Sequence, residues 1–96
     1  MAGKSETEFV AECLWPDVHE GDLRALDARA GEESERLASV DYIGSLLMRE
    51  DEVVLCLFRG PEDDVRQVVE AARIPCDRLL EAACSPWPEE HDRRHR

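Results

Sequence analysis

The sequence predicts an α+β sandwich, one four-stranded sheet carrying two helices, and three observations lead there. Short stretches of alternating or continuous apolar residues occur at 7–15, 40–49, 53–58 and 77–84. Between the first and second stretches lies a segment with helical spacing, and a second such segment separates the third and fourth. The run Phe58-Arg59-Gly60-Pro61-Glu62-Asp63-Asp64-Val65 then reads as a strand end, a turn and a helix start.

Thr7 to Trp15 sets Phe9, Ala11, Cys13 and Trp15 against Val10, Glu12 and Leu14, a period-two strand with one charge among the apolar positions. Pro16 ends it, and Asp17 with Glu20 has the spacing of a capping box. Leu23, Leu26, Ala30 and Leu37 form one stripe of the first helix, with Gly31 as its weakest position, costing ~1 kcal/mol relative to alanine. Val40 to Arg49 is the second strand, grouping Tyr42, Gly44, Leu46 and Met48 opposite Ile43, Ser45 and Leu47. Glu50-Asp51-Glu52 connects it to an apolar third strand, Val53 to Phe58.

Pro61 suits the first helical position, where its missing N–H has no partner to lose. The three acids after it favour a helix N-terminus, and Val65, Val68, Val69 and Ala72 build an apolar face. Asp77 to Cys84 is the fourth strand, with Leu79, Glu81 and Ala83 assigned to the face opposite Leu80, Ala82 and Cys84. The order is βαββαβ, the ferredoxin-like arrangement. Residues 1–6 are expected to be a flexible start, 7–85 the domain, and 86–96 a flexible tail whose three arginines balance three acids from Glu89 onward.

The 96 residues carry 23 acids against 12 bases, a formal charge of −11. Such a chain repels phosphate backbones and anionic membranes, so neither nucleic acid nor membrane is an expected partner. Lys4 is the one lysine among those bases, a usage that fits a GC-rich bacterial gene. No apolar leader segment precedes the first strand, no stretch suits a membrane helix, and the four cysteines form no C-x-x-C pair. A cytoplasmic protein with reduced thiols is the expectation.

Several stretches carry a resemblance: Val10-Ala11-Glu12, Leu55-Cys56-Leu57-Phe58, Gly60-Pro61, and Ile74-Pro75-Cys76-Asp77-Arg78-Leu79-Leu80-Glu81. Over Glu8 to Cys84 the chain resembles a family of small bacterial ferredoxin-like proteins, largely uncharacterised, some called nickel-binding. The resemblance implies a site for nickel or another divalent metal. Family members often carry histidine in the second strand and second helix, where this chain has Tyr42-Ile43-Gly44-Ser45 and Val68-Val69-Glu70.

Glu12 and Glu81 are the first candidate site residues. Alternation places both on the helix-free face of neighbouring strands, where paired carboxylates would attract a cation or a proton. The competing reading pairs each with an arginine, among them Arg49, Arg59 or Arg78. Cys56 joins them as a candidate ligand, because thiolate suits nickel or zinc, although a buried structural cysteine is the favoured reading. Cys76 is the thiol expected nearest the surface, and His19, His91 and His95 read as surface residues.

The helix-free face, assigned Val10, Leu14, Leu79 and Ala83, would be an apolar patch if left bare. A homodimer closing two sheets into one α+β barrel is therefore expected. The leading functional expectation is a dimeric binding module holding a metal or small ligand in that barrel. The alternatives are a small dimeric barrel enzyme of monooxygenase-like type and an acidic module that engages a basic protein. No catalytic motif supports an enzyme directly.

Overall fold

The computed structural model describes residues 7–83. It is a ferredoxin-like α+β fold in the order β1 (Glu8–Leu14), α1 (Glu20–Leu37), β2 (Asp41–Met48), β3 (Val53–Arg59), α2 (Glu62–Ala71) and β4 (Arg78–Ala82). The strands form one antiparallel sheet in the order β2-β3-β1-β4. The expected tail, along with Cys84, His91 and His95, lies outside the described residues, as does the expected flexible start.

Alternation in the two central strands decides the layers. Phe9, Ala11 and Cys13 of β1 and Val54, Cys56 and Phe58 of β3 are all buried beneath the helices. Leu26 and Ala30 of α1 and Val65, Val68 and Val69 of α2 complete that core. Each fully buried Val, Leu or Phe side chain contributes about 1.5–3 kcal/mol.

Helix α1 runs without interruption through Gly31. Its N-cap is His19 rather than the expected Asp17, and the Asp22 carboxylate accepts the His19 backbone N–H at 2.9 Å. Asp27 pins the helix to β2 by accepting from the Tyr42 hydroxyl and from Ser45 Oγ, the latter at 2.8 Å. Burial, followed by that bond to Asp27, pushes the Tyr42 hydroxyl well above the usual phenol range. Arg29 Nε donates to the Ala72 carbonyl at 2.7 Å and ties α1 to the end of α2.

Helix α2 starts one residue later than its sequence suggests, with Pro61 as the extended N-cap rather than the first helical residue, and Glu62, Asp63 and Asp64 in the first turn as expected. It ends in a Schellman arrangement. The Ile74 N–H donates to the Val69 carbonyl and the Arg73 N–H to the Glu70 carbonyl. Arg73 takes a left-handed φ of 58°, the position glycine usually fills.

Two strand phases differ from the sequence expectation. An irregularity between Tyr42 and Gly44 inserts Ile43 into β2. Tyr42, Ser45 and Leu47 consequently share one face, opposite Phe58, Cys56 and Val54, while Gly44, Leu46 and Met48 take the other. In β4, Leu79 stands opposite Ala11 and packs on the core, whereas Arg78, Leu80 and Ala82 point to the open side. Asp77 is the physical reason. Its N–H donates to the Glu12 carbonyl at 2.8 Å and its carboxylate accepts the Leu14 N–H at 2.6 Å. This two-point clamp sets the register of β4 on β1.

Candidate functional site

Among the described residues, the helix-free face of the sheet is the feature that asks for an occupant. Its centre is formed by Val10 of β1, Leu55 and Leu57 of β3 and Leu80 of β4, by their register positions. Leu14 is 61% exposed, Leu46 54%, Met48 41% and Leu80 39%, and all four belong to this face. Ile43, at the β2 irregularity, is 41% exposed. Every exposed large hydrophobic residue among the described residues is thus on the open face or at its irregular edge.

The polar groups of this face are largely neutralised. Glu12 and Arg78 stand opposite one another, and Arg78 Nε donates to Glu12 Oε1 at 2.8 Å. That bond raises the affinity of the Arg78 guanidinium for its proton. Glu8 accepts from Arg59 at 3.1 Å, with the Glu8 side chain largely covered. Two carboxylates are bound to two guanidiniums across neighbouring strands, and Asp41 is the third acid on the face by register.

The three residues grouped as metal ligands stand in three environments. Glu12 lies on the open face and is bound to Arg78. Glu81 stands opposite Phe9, on the helix side of edge strand β4, and is exposed. Cys56 is fully buried in the core beneath the helices. The structure does not bring the three together, and among the described residues no group of three or more His, Cys, Asp or Glu side chains is placed to hold a metal ion. The face assigned to Glu81 is the specific correction. Leu79-Leu80 offers no alternation to set the phase, whereas the Asp77 clamp does.

Cys13, also buried, donates its thiol to the Ala11 carbonyl at 3.8 Å. The neighbouring Cys56 thiol, then burial, pushes its pKa far above the ordinary thiol range. The Cys13 thiol is thus held in a form unsuited to attack, since thiolate is the nucleophile. Cys76 is half-buried, its Sγ 3.1 Å from the Arg78 carbonyl, and burial raises its pKa too. No described helix is long and apolar enough to cross a membrane.

No family model matches the chain, and no curated protein does. Among solved structures the fold is similar to the crystal structure of SCO4226 from Streptomyces coelicolor A3(2). The TM-score is 0.65 at 20% identity, covering 82% of this chain and 99% of that one. At that identity the likeness shows a shared fold and nothing about chemistry.

Proposed function

We propose that the protein is a homodimeric binding module in which two copies pack their open sheet faces and hold a small, largely apolar ligand between them. One observation carries this reading: the uncovered apolar face with its charges internally paired. A chain of net charge −11 repels its own copies, so they can meet best where charge is balanced. On the open face two of the three acids are already bound to arginine, so little unpaired charge needs to be desolvated.

The area is also adequate. Four strands of about seven residues, ~4.8 Å apart and rising ~3.3 Å per residue, present a face of about 440 Å². Two such faces approach the roughly 1,000 Å² a specific interface must clear, before side-chain relief is counted. Because sheets twist, two faces do not mate flush, and space between them suits a small guest. The polar groups near it are carboxylates held by guanidiniums, which favours binding over proton transfer.

Sedimentation velocity at micromolar concentration, with equilibrium dialysis against 1-anilinonaphthalene-8-sulfonate, tests the reading. It expects twice the 10.9 kDa chain mass and at most one dye molecule per dimer. A single-chain mass overturns it. Stoichiometric metal in the untagged protein would replace the apolar ligand by a metal.

A further inference from the structure

A concavity of about 360 Å³ lies between the C-terminal half of α1 and the start of edge strand β2, with Gly31, Ser34, Glu35 and Ala38 on one wall and Asp41 and Tyr42 on the other. That size falls within the range of about 300–1,000 Å³ that small-molecule sites span. We propose that it is a binding site for a small primary ammonium ion, held by the Ser34 hydroxyl and the Glu35 carboxylate.

Ser34 carries the inference. The residue is only 4% exposed, and its Oγ is the one buried side-chain polar atom without a hydrogen-bond partner among the described residues. A buried hydroxyl left unpaired costs stability, so such groups are normally satisfied by protein, water or ligand. Gly31 and Ala38 stand at i−3 and i+4 from Ser34 and line the same wall, which puts the Ser34 side chain on the helix face bordering the space. Glycine makes the room, since a Cβ on Gly31 would meet nothing within 4 Å.

The charge of the walls selects a cation. Glu35 makes no ion pair with any described residue, and no base lines the concavity among the described residues. Helix α1 ends at Leu37, so the negative end of its dipole lies at the site. Arg36, the base of that last turn, is outside the walls and lies 3.5 Å from Glu33, with its side chain 73% exposed. Tyr42 commits its hydroxyl to Asp27, which leaves its ring for the cation. An ammonium has three N–H donors, enough to reach the Ser34 oxygen and the Glu35 carboxylate together. Asp41, at the rim, belongs by register to the open face, and the site does not depend on it.

The site is separate from the two-fold contact, and a single chain would bind as well. The test is amide chemical-shift titration of the full chain with butylammonium chloride at constant ionic strength. Tetramethylammonium chloride, which has the charge but no N–H, is the control. Saturable shifts centred on Gly31, Ser34, Glu35 and Ala38 are expected with butylammonium, and affinity at least tenfold weaker with the control. Ser34→Ala should lower affinity at least tenfold while leaving the urea midpoint unchanged or raised, since no protein partner loses a bond. Gly31→Leu fills the space from an unstrained helical position and should abolish binding. Glu35→Gln should weaken binding at least tenfold, whereas Glu32→Gln, the same charge change on exposed α1 surface outside the concavity, should bind as wild type. Linear shifts with butylammonium, equal affinity for the two cations, or wild-type affinity in Ser34→Ala or Gly31→Leu would overturn the proposal. A lowered urea midpoint in Ser34→Ala would overturn it too, by assigning the hydroxyl to a structural water.

Discussion

Replacing Gly60 with alanine tests the packing that positions the open sheet. Gly60 is buried at the end of β3 with φ of +152°, and its N–H donates to the Thr7 carbonyl at 2.9 Å. A Cβ there would sit 2.6 Å from the Ser39 carbonyl oxygen and 3.2 Å from Val40 Cα. Both neighbours are backbone, so no side chain can rotate aside. The Ser39–Val40 segment must move, which pulls on the buried Val40 and on the 2.6 Å bond from Ser39 Oγ to Asp64. Overpacking costs ~1–3 kcal/mol. Holding alanine at that φ costs ~1–3 kcal/mol more. A loss of about 3–5 kcal/mol is a large part of the ~5–10 kcal/mol available to a chain of this size. The melting temperature should fall by ~15 °C or more, at about 4–8 °C per kcal/mol. Urea unfolding followed by circular dichroism measures the change. A loss below ~1 kcal/mol, with Ser39 and Val40 amide shifts unmoved, would refute the packing argument.

Two further predictions concern the ends of α1 and the buried thiols. Ala38 closes α1 at φ 63°, so Ala38→Gly should raise stability by ~0.5–1 kcal/mol in urea unfolding, the relief outweighing the added chain entropy; a loss would mean that the methyl group packs usefully. Cys13 keeps its proton in the folded state beyond the pH at which the unfolded chain releases it. Stability should therefore be full below pH ~8.5 and fall by up to ~1.4 kcal/mol per pH unit above it, and Cys13→Ala should flatten that decline in urea midpoints taken between pH 8 and 10.

Much of this fold was legible because local signals agreed with one another. Pro61 followed by three acids fixed the start of α2, and the alternation of Phe9, Ala11 and Cys13 fixed the phase of β1. The phase of β2 was not legible, because apolar residues on both sides of Ile43 hide the inserted residue. In β4 the adjacent leucines gave no period, and the register depends on Asp77 reaching across to Glu12 and Leu14. For that reason the sequence could offer Arg78 as one of several partners for Glu12 but could not separate Glu12 from Glu81.

The pairing of two open sheet faces is tested most directly by isotope-filtered nuclear Overhauser spectroscopy on a mixture of labelled and unlabelled chains. The account predicts intermolecular contacts among the methyl groups of Val10, Leu14, Leu46, Leu55, Leu57 and Leu80, all from the helix-free side of the sheet. Intermolecular contacts confined to α1 and α2, or none at millimolar concentration, would contradict it.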